Sequence, residues 1–216
     1  MAEAAFANNN NEATRQLFWA LEQPRKAGDV EALLRAGADV NARAPVSGHT
    51  PLMHALCYSQ MAIAPLLAHG ARFASDENEN RLVSMLMYGV GTHFLTELGT
   101  AGALLPVGAR GARPELQGGG SLLHYFVTPH EGVNMPVVVR ALLGMGVDPD
   151  ARDVHGRTAL DVIRYQRHAL VSGLYDWYAH ERAAIMGPYE ATEQLLWDAV
   201  RADAAFADLE RLRCCD

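Results

Sequence analysis

Leu33-Leu34-Arg35-Ala36-Gly37, Leu66-Leu67-Ala68-His69-Gly70 and Leu142-Leu143-Gly144-Met145-Gly146 share one shape, and a weaker copy stands at Leu98-Gly99-Thr100-Ala101-Gly102. From Gly37 to Gly70, and again from Gly70 to Gly102, the spacing is about 33 residues. A second landmark comes after the glycines: Gly48-His49-Thr50-Pro51-Leu52, Gly120-Ser121-Leu122-Leu123-His124 and Gly156-Arg157-Thr158-Ala159-Leu160. Thr50 to Ser121 spans a little more than two such periods, and Ser121 to Thr158 a little more than one. Both landmarks therefore keep one period once short insertions are allowed. A fixed period of this size marks repeated supersecondary units.

Local chemistry says what each unit is. Thr50, Ser121 and Thr158 are hydroxyl residues just ahead of apolar periodicity, as a helix N-cap requires. Pro51 falls in a first helical turn, where a missing N–H costs nothing. Gly37, Gly70 and Gly146 end the following helices, where a residue free to take positive φ closes the last turn. The Leu-Leu pairs lie on the buried stripe of a short helix. A pair of such helices cannot cover its own apolar face, so it must pack on its neighbours.

These features resemble the ankyrin-repeat family, whose period and Thr-Pro-Leu-His-x-Ala signature are echoed at Thr50-Pro51-Leu52. Gly37-Ala38-Asp39-Val40-Asn41-Ala42-Arg43 and Gly146-Val147-Asp148-Pro149-Asp150-Ala151-Arg152 are similar to the family's loop after its second helix. Met53 and Asp161 replace the signature histidine in two units, and His124 keeps it. The match is poor between Arg81 and Gly102. The resemblance implies an all-α fold, an ankyrin-repeat solenoid of about five helix-turn-helix units with a helical C-terminal cap.

The organisation expected is a loose N-terminal segment over 1–13, a repeat stack over 14–165 and the cap over 166–216. Helical periodicity starts near Thr14, breaks at Pro24-Arg25-Lys26 and resumes over about Ala27 to Ala36. Spacing puts six extra residues in the loop within 104–120 and five more between helices within 127–136. Such insertions map to surface loops. Past Thr158 no Leu-Leu-x-x-Gly returns. Asp161 to Met186 reads as helix, Gly187-Pro188 as a break, Tyr189 to Arg201 as an amphipathic helix, and a short last helix carries Phe206, Leu209 and Leu212. These helices form a cap over the last repeat or, alternatively, a separate partner-binding appendage.

Half of the 216 residues are hydrophobic and a fifth charged, an ordinary globular balance rather than that of a disordered chain. No run of about eighteen apolar residues suggests a membrane span. The first twenty residues lack a basic start followed by an apolar stretch, so no secretory signal is expected. Cys57, Cys214 and Cys215 make no disulfide framework, which points to a reduced, cytoplasmic protein. A formal charge of -7 is the wrong sign for a general nucleic-acid binder. Lys26 is the single lysine against seventeen arginines, a base-composition habit that hints at a bacterium.

The search for reaction chemistry returns little. No His-Glu-x-x-His, Cys-x-x-Cys or Gly-x-Ser-x-Gly occurs. The glycine-rich stretch Pro106 to Pro114 lacks the Gly-Lys-Ser/Thr of a phosphate cradle. Nine histidines are scattered, with His124 in the signature place read as a structural hydrogen-bonding group. Asp76, Glu77 and Glu79 read as a solvated turn rather than an acid–base pair. No catalytic residue, cofactor or metal ligand is assigned, and the chain is expected not to be an enzyme. An active site in the insertion loops, at His130 and Glu131, is the alternative.

What the resemblance implies is a binding surface for another folded protein, made of loop tips and outward positions of the first helices. The tips would be Arg43 to His49, Asp76 to Arg81, Arg110 to Glu115 and Val154 to Arg157, and the first-helix positions would include Tyr165. The partner-binding residues assigned are Arg43, His49, His54, Tyr58, Glu77, Glu79, Arg81, Arg110, Arg113, Tyr125, His155 and Arg157. Tyrosine and arginine suit such a role because they combine contact area with directed hydrogen bonds. For Tyr58 and Tyr125, burial between helices is an equal alternative. The function expected is a non-enzymatic module, monomeric alone, that binds and neutralises or regulates a partner. Acidic charge would favour a basic toxin or enzyme. The alternative is an effector or adaptor that recruits a host or regulatory protein through its repeat surface and C-terminal helices.

Overall fold

Four of the second helices end in the same way. In the computed structural model Gly37, Gly70, Gly102 and Gly146 all have φ between 63 and 89°. Each donates its N–H to the carbonyl three residues back, and the next residue donates to the carbonyl five back: Gly37 to Leu34 and Ala38 to Leu33, Gly70 to Leu67 and Ala71 to Leu66, Gly102 to Gly99 and Ala103 to Leu98, Gly146 to Leu143 and Val147 to Leu142, all at 2.9–3.1 Å. This double closure requires a left-handed residue at the glycine and seats a following apolar residue against the helix. Ala38, Ala71, Ala103 and Val147 are accordingly buried. The weak copy at Leu98–Gly102 is thus a full one.

The structure describes residues 12–113, 117–128, 135–172 and 182–213, and only the backbone at 24, 25, 27, 117, 182–185 and 203–213. The expected loose segment up to residue 11, the insertion at 129–134, His130, Glu131, Glu115 and Cys214-Cys215 lie outside the described residues. No strand occurs among those described, so the fold is all-α there. Two compact units divide the chain, Met1–Ala109 and Arg110–Asp216.

In the first unit α1 (Glu12–Leu21) is followed by a 3-10 turn (Pro24–Asp29) and α2 (Val30–Arg35), so the second helix begins three residues later than expected. α3 (Pro51–Tyr58) pairs with α4 (Ile63–Ala68), and α5 (Glu79–Ser84), prolonged by a π-helical turn (Met85–Gly89), precedes α6 (Thr92–Thr100). α1 packs on α3, and α3 on the π turn, while α2 packs on α4 and α4 on α6. First helices therefore lie beside first helices and second beside second. Leu17, Leu21, Leu52, Leu56, Ile63, Leu66, Leu82, Leu86, Leu95 and Leu98 fill the space between the rows. Fully burying each such side chain contributes about 2 kcal/mol.

In the second unit α7 (Leu122–Phe126) packs on α8 (Met135–Gly144) and α9 (Ala159–Val171), and α10 (Arg182–Arg213) packs on α8 and α9. The same two rows recur, with α10 in the place of a second helix. No break falls at 165/166, because α9 continues to Val171. The expected stop at Gly187-Pro188 and the separate last helix are corrected: α10 is one helix of 32 residues with Pro188 inside it. Pro188 sits in its second turn, where it removes one early backbone bond. Thr192 Oγ1 donates to the Pro188 carbonyl at 2.8 Å, and Tyr189, Thr192 and Leu196 are buried.

The helix starts are capped as the hydroxyls predict. Thr50 Oγ1 accepts from Met53 N–H and Thr158 Oγ1 from Asp161 N–H. Asn78, which the period did not mark, caps α5 by accepting from Arg81 N–H at 3.0 Å.

Candidate interaction surface

Two turns, which present Arg43 and His49 and then His155 and Arg157, share one plan. Asp39 Oδ1 accepts from Asn41 N–H, and Asp148 Oδ1 from Asp150 N–H. Arg43 Nη1 donates to the Gly48 carbonyl and Arg152 Nη1 to that of Gly156, both at 2.7 Å. Ala44 N–H meets the His49 carbonyl as Asp153 N–H meets that of Arg157. Each short Asx turn and arginine clasp fixes a tip that ends one residue before an N-cap. Asn41 further ties its turn to the next repeat, donating from Nδ2 to the Gly70 carbonyl and accepting from Arg72 N–H.

Behind the first tip, His54 is 5% exposed, which corrects its assignment to the surface. Its ring lies edge-on to Phe18 at 5.1 Å and near His49 and Tyr58 at 5.9 and 5.6 Å. Nε2 is 3.3 Å from Ser47 Oγ, and Nδ1 has no hydrogen-bond partner among the described residues. Burial first, then the charges of His49 and Arg81, push the His54 pKa down to about 4. Burial also lowers that of His49, against the pull of Glu77. Tyr58 is 48% exposed, so the open alternative resolves toward the surface.

Of the carboxylates of 76–79, Asp76 is exposed as expected, whereas Glu77 and Glu79 are drawn into the fold. Asp76 pairs with the Arg43 guanidinium, whose hydrogen bond holds its carboxyl below the usual range. Glu77 is 4% exposed, which corrects its assignment. Its Oε1 accepts from Thr50 N–H, and its Oε2 accepts from Thr50 Oγ1 and from Ala74 N–H, at 3.1–3.2 Å. Glu79 Oε1 accepts from Gly108 N–H at 3.1 Å, and the carboxylate crowds the place a Cβ at residue 108 would take. Arg81 is exposed, its guanidinium charge stabilised by the Cys57 thiol and the Tyr58 hydroxyl.

In the second unit Arg113 is 9% exposed, which corrects its assignment as a surface contact, and Arg110 is half-buried with its carbonyl accepting from Asp148 N–H. Tyr125 is half-buried, edge-on to Phe126 at 5.0 Å. His155 and Arg157 are exposed around Asp153, which accepts from both their N–H groups and pairs with the Arg157 guanidinium at 2.8 Å. Burial alone would raise the Asp153 pKa, but these bonds outweigh it and hold the carboxyl at about 2. His124 is a structural group: its Nδ1 accepts from Ser121 N–H, and its Nε2 donates to the Arg157 carbonyl at 2.9 Å. Tyr165 is exposed on α9.

Val46, within the expected first tip, is 88% exposed, and Met61 and Tyr88, which the sequence reading missed, are exposed by 73 and 74% on the first unit. Tyr88 stands on the π turn, which no landmark announces. Between α9 and α10 a cleft of about 330 Å³ holds Glu193 bridging Arg164 and Arg167, with Arg164 over the Trp197 ring at 5.0 Å. Among the described residues no three His, Cys, Asp or Glu side chains converge on a cation position, and no helix is long and apolar enough to cross a membrane. No protein-family model matches the sequence, and no curated protein is similar to it.

Proposed function

We propose that the chain is a non-enzymatic protein-binding module, built of ankyrin-like helical hairpins, that holds and regulates a partner protein in the manner of an inhibitor. The observation that carries this reading is the pair of tips at 39–50 and 148–158. Both are braced by the same Asx turn and arginine clasp, and both expose polar side chains. Rigid tips present side chains at low entropic cost on binding, which is what a recognition surface needs. Tyr58, Arg81 and Arg157 are exposed and of the residue types that anchor protein interfaces.

The test is capture of binders from the native cell on the immobilised full chain, identification of each, and light scattering of the chain mixed with each purified candidate. A stoichiometric complex that suppresses the activity of the bound protein is expected. A chain that stays monomeric with every candidate and leaves their activities unchanged overturns the proposal.

A further inference from the structure

The first tip rests on a histidine, and its counterpart in the second unit does not. His54 lies four residues after the Thr50 cap, where α9 has Val162. Its ring is wedged between two parts of the first unit. On one side it meets Phe18 of α1, which is 4% exposed and packs with Ala42 and Ala44 in the core. On the other side lies the segment 44–49. Ser47 Oγ is 3.3 Å from Nε2 and also accepts from His49 N–H, and the His49 ring stands 5.9 Å away. That cover is thin, because Val46, Ser47 and Gly48 are exposed and His49 is half-buried.

A neutral ring suits this place and an imidazolium does not. With a proton on both nitrogens, Nδ1, which has no partner among the described residues, becomes a charged donor with nothing to bond in a buried position. Among the described residues no carboxylate bonds to the ring. α1 brings Phe18, and its Glu12 and Arg15 are exposed and paired with each other. The tip brings Ser47 and His49, while Arg43 and Asp76 at its base pair with each other. α3 itself brings Tyr58, residues 59–68 hold no titratable side chain, and Tyr88 of the π turn is exposed. The charges of His49 and Arg81 both oppose a proton on His54, and Glu77, bonded to Thr50, favours one on His49. Lifting the tip is the shortest route to water for a charged ring, since the other side is core. We infer that His54 is an acid-operated latch: on taking up a proton it releases the segment 44–49 from α3 while the hairpins stay folded. Acidification thus dismantles one tip of the proposed recognition surface and spares the other, and the inference holds whether or not that surface binds a protein.

The experiment is amide hydrogen exchange of the full chain, followed by NMR at pH 7 and pH 5 and expressed as protection factors. Ala44 and Gly48 N–H, bonded to the carbonyls of His49 and Ala44, report on the first tip, and Asp153 and Gly156 N–H, bonded to those of Arg157 and Asp153, on the second. The first pair is expected to be less protected than the amides of α3 at both pH values. It should lose protection about twentyfold at pH 5, the factor set by a proton affinity that rises from about 4 to the ordinary 6.5 on opening. The second pair, whose Asp153 stays ionised with a pKa of about 2, should change less than about twofold. His54→Val should abolish the response of the first pair, and His49→Gln should keep most of it. Should His54→Val not fold, the two tips of the wild type and His49→Gln still decide. A first pair that is unchanged at pH 5, or that is as protected as α3 and so opens only with the whole hairpin, overturns the inference. So does an equal loss at both tips, or a response that disappears with His49.

Discussion

The turn that enters α3 and the turn that enters α9 have the same frame, yet they satisfy their N-caps from opposite directions. At α9 the Thr158 N–H and hydroxyl both go to Asp161, three residues on in the same helix. At α3 that third residue is Met53, which has nothing to offer, and Glu77 arrives from the next hairpin to do the same work. The first is a capping box closed within one turn of helix. The second is a stitch between consecutive hairpins. A local device survives loss of its neighbour, and a stitch does not, so the first unit should be the more cooperative at this point.

That contrast is breakable by mutation. Glu77→Ala strips acceptors from the Thr50 and Ala74 N–H groups in a buried place, and a loss of about 3 kcal/mol is expected. Asp161→Ala leaves its groups near solvent and should cost about 1 kcal/mol. Denaturant titration of both variants decides the matter; equal losses would mean that the stitch is no stronger than the box.

His54 sharpens the comparison through pH. The same place in α9 is held by Val162, four residues after its cap. A folded pKa of about 4 lies below the ordinary 6.5, so the unfolded chain takes up the proton first as pH falls. Stability is then complete above about pH 6.5 and declines toward pH 4, by at most about 3 kcal/mol. His54→Val should flatten that slope whatever it does to stability at pH 7. A slope that persists in the variant would place its origin in another group.

Asp153 supplies the smallest effect. Its folded pKa of about 2 is below 3.8, so its contribution is present above about pH 4 and lost as pH falls to about 2. Its ion-pair partner Arg157 is exposed and solvent-screened, so the loss should be no more than about 1 kcal/mol. Asp153→Asn compared with wild type across that window checks it, and a difference that grows as pH falls from about 4 to about 2 would reverse the sign.

Much of the helical plan was readable because it is written in short-range chemistry. Leu33-Leu34 with Gly37, or Thr50 with Pro51, needs only its own neighbours to make a helix end or start. The failures are of two other kinds. Glu77 looked like part of a solvated turn because Thr50, which it caps, belongs to the preceding hairpin, and no local pattern reveals such a bond. The third hairpin was blurred because its turn shrank while its helices grew. The outer turn that runs from Gly37 to Thr50 has as its successor a much shorter one, from Gly70 to Asn78. The π turn at Met85–Gly89 then takes up part of the length that α5 gained. Gly187-Pro188 was overread as a stop: burial of Tyr189 and Leu196 carries α10 past it. Of the exposed side chains, Arg81 follows from its place in a turn, Tyr58 is open between burial and surface until its packing is known, and Tyr88 depends on a helix distortion that sequence spacing does not encode.

The shortened turn has a further consequence. Gly70 and Gly102 remain one period apart even though the N-cap between them has moved. Length removed from the outer loop reappeared inside the hairpin, and the glycine closures stayed in step. The scaffold thus gauges itself at its helix endings and lets the length of the turns between them vary. An insertion between Gly70 and Asn78 should therefore leave the glycine closures in step, provided that it spares Asp76 and Glu77, which hold the preceding hairpin.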